Sequence, residues 1–363
     1  MGFDSFVANA KAVAAVRDLL ATGRVPHGLL FAGPEGVGKR TLAIMLAKAL
    51  NCERLRDDFC GDCARCQRAQ QMLDTTRRDL AARRDLKDSA RHAEGFIYFD
   101  LQVIEPLTRY ILIEQIRQLR SVAYTRPFEL PRRVFIIDQA QAVHWQAVDL
   151  LLKILEEPPE TTILILVCPN PYELRPTIRS RCRRIQFLPV DDATLFKVLE
   201  EEGRVPKSER ALVARLAAGS VAKAKSFDLG TFRLRRSPWV EFLDCVLAAA
   251  PYPNGNLNWK SVFESTRALS ENRADLEEML RIGYSILSDL LKVYEGQDDS
   301  RVVNLDLFSH LKQWAPKLGF KGIETLKNGL DEAYRLSSRN VNLQLGFDTL
   351  AIELQWLQAT KVW

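Results

Sequence analysis

The chain has 363 residues, enough for two or three domains at roughly 100–200 residues each. With 47% hydrophobic and 27% charged residues it is neither disordered nor collagen-like, and a net charge of +5 is too small to mark a nucleic-acid binder. Seven cysteines, an odd number, exclude a fully paired disulfide framework.

Residues 9–22 place Val13, Val16, Leu19 and Leu20 at helical spacing, and Gly23 and Pro26 end the pattern. The opening MGFDSFVANAKAVAAV has no basic segment followed by an apolar run, so no signal peptide is expected. No stretch reaches the ~18 consecutive apolar residues of a membrane span. The expected setting is the cytoplasm, without a membrane partner, where clustered cysteines bind metal more often than they pair.

Leu29-Leu30-Phe31-Ala32 reads as a buried strand, and Leu42–Leu50 as a helix. Between them lies Gly33-Pro34-Glu35-Gly36-Val37-Gly38-Lys39, in the strand–loop–helix context of a phosphate-binding loop. Gly33, Gly36 and Gly38 would let the backbone approach a nucleotide, and Lys39 would supply a positive charge. ATP with Mg²⁺ is the cofactor such a loop takes. The hydroxyl residue that normally follows the lysine and holds Mg²⁺ is here Arg40, and Thr41 comes one step of about 100° too late. Nucleotide binding and a loop kept for its shape both remain open.

Cys52, Cys60, Cys63 and Cys66 have the spacing C-x7-C-x2-C-x2-C, which suits a closed, tetrahedral structural zinc site. A ferredoxin-type cluster would place its fourth cysteine downstream with a proline, which this sequence does not. Residues 67–95 are polar and read as a solvated helical excursion. Val134–Ile137 and Ile163–Val167 are two more buried strands of a parallel sheet. The first ends in Asp138, the position of an acidic Mg²⁺ ligand. The next residue, Gln139, is neutral and cannot accept a proton from water at pH 7. Arg175, Arg179, Arg181, Arg183 and Arg184 crowd one window. Four read as surface charge, while Arg181 stands in Ser180-Arg181-Cys182 before the apolar stretch Ile185–Leu188. Beyond about residue 190 the pattern is helical, with Leu276, Leu280, Leu287, Leu290 and Leu291 at helical spacing. The expected fold class is α/β followed by all-α.

The loop Gly33–Lys39, the four cysteines, the run Leu151-Leu152-Lys153-Ile154-Leu155-Glu156-Glu157-Pro158-Pro159 and Ser180-Arg181-Cys182 occur here in the order seen in bacterial clamp-loader subunits. The chain resembles that family of AAA+ proteins, most of all its delta-prime type, densely over residues 3–190 and thinly beyond. The resemblance implies residues 1–169 as an AAA+ nucleotide-binding-like domain with a zinc module at about 52–66. It implies 170–230 as a small helical lid and 231–363 as a helical collar. It also implies Arg181 as an arginine finger reaching in trans to ATP held by a neighbouring subunit. The implied partners are gamma/tau ATPases, a delta subunit, and the sliding clamp and primed DNA through the assembly. Motor subunits of the family would carry Lys-Thr in the loop and Asp-Glu on the strand, where this chain has Lys39-Arg40 and Asp138-Gln139. Their sensor threonine falls at Cys168 or Pro169, and their second sensor arginine at Ala222 beside Lys223. The long extension of tau is not expected, the chain ending at Trp363. A non-catalytic or weakly ATP-hydrolysing subunit is the expectation. An active gamma/tau-type ATPase and an independent zinc-containing P-loop kinase are the alternatives.

Overall fold

In the computed structural model, residues 2–86, 95, 98–248, 259–270, 276–337 and 342–360 are described. The chain divides into two compact units. The first comprises residues 1–204 and 217–225, and the second 205–216 and 226–363.

Five parallel strands organise the first unit: β1 (Gly28–Ala32), β2 (Leu101–Ile104), β3 (Arg133–Ile137), β4 (Thr162–Cys168) and β5 (Arg183–Gln186). Their order is β2-β3-β4-β1-β5. The first four are buried along their whole length, as continuous apolar runs covered on both faces should be. β5 is an exposed edge with only Ile185 buried. Alternation along each strand feeds two cores. Leu29, Phe31, Val134, Ile136, Ile163 and Ile165 face one layer, with α1 (Ala10–Ala21), α2 (Lys39–Ala49) and α3 (Ala64–Arg84). Leu30, Phe135, Ile137, Leu164 and Leu166 face the other, with α4 (Ile113–Ala123) and α5 (Val148–Glu156). This is a three-layer α/β sandwich.

The segment read as a solvated excursion contributes a 21-residue helix, α3, packed against edge strand β2. Ala69, Met72, Thr76 and Leu80 form its buried side, and Ala69 and Met72 join the core that holds Leu101 and Val103 of β2. Residues 87–94, 96 and 97 of that segment lie outside the described residues. β2 was not legible as a strand because buried Gln102 interrupts its apolar run.

Where β2 and β3 begin, Arg133 and Asp100 are 0% and 1% exposed and paired at 3.0 Å. Asp100 also accepts the backbone N–H groups of Phe128, Glu129 and Leu130. Arg133 donates to the carbonyls of Val122, Thr125 and Arg126. One buried pair therefore fixes the loop between α4 and β3 and the starts of β2 and β3.

After β5 come α6 (Asp192–Glu202), α7 (Arg210–Leu216) and α8 (Val221–Ser226). The second unit is built mainly from α9 (Leu229–Ala248), α10 (Trp259–Ser270), α11 (Leu276–Tyr294), α12 (Phe308–Ser337) and α13 (Leu343–Thr360). Trp239, Phe242, Trp314 and Phe347 anchor its core. A Cβ on Gly283 would lie 2.7 Å from the Trp239 ring, so only glycine admits that approach. Leu276, Leu280 and Leu290 are buried as their spacing implied, whereas Leu291 is exposed. Asp289, fully buried, accepts from Lys292, from the Val303 and Asn304 backbones and from the Asn304 side chain. Among the described residues no helix is long and apolar enough to cross a membrane.

Candidate functional site

The loop after β1 and the start of α2 border a cleft of about 600 Å³, a size typical of small-molecule sites. Asp138 at the end of β3 and Cys168 at the end of β4 also line it. Gly33, Gly36 and Gly38 all adopt positive φ. At Gly36 a Cβ would fall 1.9 Å from the Ser220 hydroxyl, and its carbonyl accepts the Ala222 N–H at 3.1 Å. The phosphate-type loop is thereby closed over by the 217–225 segment of the same unit. Phe6, from the N-terminal segment, lies against Gly38 and forms part of the cleft wall.

Lys39 is buried, and its ammonium donates to the carbonyls of Gly33 and Pro34, both at 2.5 Å. Burial lowers its pKa, against the opposing pull of Cys168, Asp138 and Glu35. Arg40 enters the cleft beside it. One terminal nitrogen pairs with Glu105, and the other lies 3.4 Å from Asp138 Oδ2. The Ile104–Ile137 pairing of β2 and β3 sets these two carboxylates side by side. Burial raises the Asp138 pKa, Arg40 counters it and Glu105 adds to it. Mg²⁺ does not fit this arrangement, because a guanidinium already contacts the aspartate that would bind it. Gln139 is exposed, sits at φ 54° and lines the same cleft. Cys168, Pro169 and Ala222 stand at the cleft at the positions the resemblance gave to sensor residues, and of these only Cys168 carries a side-chain donor, a weak one.

The sequence reading missed Glu105 and Lys225. Glu105 directly follows the strand that Gln102 disguised. Lys225 lines the cleft two residues past Lys223, about the half-turn that brings a helical side chain to the other side.

The four cysteines come together between α2 and α3. Their sulfurs all lie within 4.8 Å of one another, and those of Cys52 and Cys60 are 3.8 Å apart. Tetrahedral Zn–S bonds of about 2.3 Å place sulfurs about 3.8 Å apart, so the cage fits zinc. The Cys63 N–H donates to Cys60 and the Cys66 N–H to Cys63, which orients two of the sulfurs. Burial pushes the Cys63 thiol up, but N–H groups of Glu53 and Cys66 and the neighbouring thiols outweigh it, leaving it at about 6. Burial and the Cys63 and Cys52 thiols push Cys66 up instead. Cys63 and Cys66 belong to the core that holds Phe59 and Met72, so a bound ion would be part of the fold.

Arg181 follows a short helical turn, Pro176–Arg179, at the exposed edge of the sheet. Its guanidinium pairs with Glu156 at 2.8 Å and donates to the Thr177 carbonyl at 3.0 Å. Glu156 ends α5, within the Leu-Leu-Lys-x-Leu-Glu-Glu-Pro-Pro run. The neighbouring arginines are occupied or peripheral. Arg175 lies 3.6 Å from Asp149, Arg179 stacks over Tyr172, and Arg183 and Arg184 stand exposed on β5. Arg181 is not among the residues that line the Lys39 cleft.

The sequence profile of the family described as DNA polymerase III, delta subunit, matches residues 8–191. The chain is 25% identical to the DNA polymerase III subunit delta' of Bacillus subtilis, over 92% of each chain. It is 32% identical to the gamma/tau subunit of Mycobacterium tuberculosis strain H37Rv over 55% of this chain and 32% of that one. It is 31% identical to the tau subunit of Escherichia coli over 62% of this chain and 32% of that one. The chain thus spans about a third of the length of these gamma/tau relatives. A DNA polymerase III gamma subunit-related protein from Thermotoga maritima aligns over 96% of this chain and 99% of its own, with 15% identity and a TM-score of 0.42.

Proposed function

The chain belongs to the DNA polymerase III delta-subunit family, and from that premise we propose that it is a non-motor, delta-prime-type subunit of a clamp loader. In this reading it helps load a sliding clamp onto primed DNA and completes the ATP site of a neighbouring gamma/tau-type subunit. The supporting observation is Arg181. It is presented at an exposed edge and held only by partners that are easily exchanged. An exposed ion pair of this kind is worth about 0–1 kcal/mol, so a neighbour's triphosphate can compete for the guanidinium at little cost.

At the neighbour's site Arg181 would oppose the negative charge that develops as the terminal phosphoryl group is transferred. Such a residue is worth about 10³–10⁵ in rate. The planar fork of arginine suits two phosphate oxygens at once, which lysine cannot reproduce. The chain's own cleft would not hydrolyse ATP, because Gln139 supplies no general base and Arg40 occupies the carboxylates. Four cysteinates would hold a structural zinc ion that braces α3 against the sheet.

The gamma/tau-type reading draws on the 31–32% identity to those subunits. ATP turnover by the isolated chain separates the two: none is expected for a delta-prime-type subunit, and steady turnover favours the motor. Mixing the purified chain with the gamma/tau and delta subunits of its own organism tests the role itself. Co-elution as one complex whose clamp loading depends on this chain is expected. Failure to associate would refute it.

A further inference from the structure

In phosphate-loop proteins a divalent cation sits between the polyphosphate, the hydroxyl after the loop lysine and an acidic strand end. Here the loop lysine and the acidic residue are kept, and the residue between them carries its own charge. Arg40 is the second residue of α2, directly after Lys39, and its guanidinium bridges Glu105 and Asp138. Both carboxylates are largely buried, at 12% and 17% side-chain exposure, while the Arg40 side chain is 37% exposed. The second oxygen of Glu105 is taken by Arg84 at 2.7 Å. Two arginines therefore neutralise the acidic pair, and the remaining exposure of Arg40 faces the cleft that it lines.

Mg²⁺ needs oxygen ligands at about 2.0–2.1 Å in near-octahedral order. It cannot share Asp138 with a guanidinium without displacing it, and like charges at that spacing repel. An arginine, unlike a metal ion, never dissociates and never loses its charge. Lys225 adds a third positive side chain to the lining, beside Lys39 and Arg40.

We propose that Arg40 is a tethered replacement for the divalent cation, and that this cleft takes the polyphosphate of a nucleotide as the metal-free species. The polyphosphate would lie against the loop amides with Arg40 in the cation's place. The role proposed for Arg181 does not depend on this, since Arg181 is outside the cleft.

The test is titration of the intact chain with fluorescent mant-ADP, in EDTA and in Mg²⁺, with Mn²⁺ binding followed in parallel by electron paramagnetic resonance. Wild type should bind mant-ADP equally, within about twofold, in both media, and should bind no Mn²⁺ in the presence of ADP. Arg40→Thr restores the hydroxyl and frees Asp138 and one oxygen of Glu105. It should gain one Mn²⁺ per chain with ADP, at Asp138 and the Glu105 oxygen that Arg84 leaves free, and bind mant-ADP at least tenfold more tightly in Mg²⁺ than in EDTA. Arg40→Lys, which keeps a cation and guards against a misfolded threonine variant, should remain metal-independent. Wild-type binding that drops tenfold or more in EDTA, a wild-type Mn²⁺ site, or no binding of mant-ADP by wild type in either medium would each overturn the proposal.

Discussion

Arg133→Met tests how the far end of the sheet builds the cleft. The substitution keeps the aliphatic volume and deletes a guanidinium that is fully buried. It leaves the Asp100 charge without its cation and removes donors from the carbonyls of Val122, Thr125 and Arg126. Breaking a buried pair in this way costs about 3–5 kcal/mol. For a unit of this size that corresponds to a fall in melting temperature of roughly 6–20 °C. Differential scanning calorimetry would read the transition of the first unit. Because β2 and β3 carry Glu105 and Asp138 at their other ends, the Arg40 bridge should loosen with it. Asp100→Asn in the same chain removes the orphaned charge, so the double variant should be more stable than the sum of the two single losses implies. A melting temperature within 2 °C of wild type, or strict additivity, would refute the reasoning: about 2 °C corresponds to less than 1 kcal/mol at this size.

Three further outcomes are expected. The purified chain should carry about one zinc ion, read by atomic absorption, and its removal with a strong chelator should lower the melting temperature of the first unit by at least about 5 °C, the equivalent of roughly 2 kcal/mol. Burial raises the Cys168 thiol to about 11 and the Cys182 thiol to about 12, so at pH 8 their thiolate fractions are about 10⁻³ and 10⁻⁴. Alkylation mapped by mass spectrometry should therefore spare both at pH 8, even after zinc removal exposes the cluster, and should reach them only as pH rises towards those values. Glu156→Gln should free the Arg181 guanidinium while changing the melting temperature by less than about 2 °C, since the pair is exposed. In the assembled loader it should leave ATP turnover equal to or above wild type; a large loss would mean that Glu156 positions the arginine for its task.

Period and composition carried much of this architecture. The continuous apolar runs at 29–32, 134–137 and 163–167 are central strands, and the C-x7-C-x2-C-x2-C spacing closes into one cluster. Arg181 stands out by its tripeptide, and its ion pair with Glu156 joins Ser-Arg-Cys to the Leu-Leu-Lys-x-Leu-Glu-Glu-Pro-Pro run. Other features depend on tertiary partners that spacing does not reveal. Gln102 hides β2 by being polar and buried, and with it the position of Glu105 at the strand's end. Read along the chain, Arg40 is a lost hydroxyl. Only when Glu105 and Asp138 are brought together from 65 and 98 residues away does it become an inserted charge. The polarity of residues 67–84 reads as solvation, yet one side of that helix joins the core that holds β2.

DNA-stimulated ATP turnover of a loader reconstituted with wild-type or Arg181→Ala chain meets the central claim most directly. Assembly, followed by gel filtration, should be intact, because Arg181 is exposed and its ion pair is weak. Turnover at the facing ATP site should fall by about 10³-fold or more, and Arg181→Lys should not restore it. Unchanged turnover by a fully assembled Arg181→Ala complex would contradict the assignment of Arg181 as a finger acting in trans.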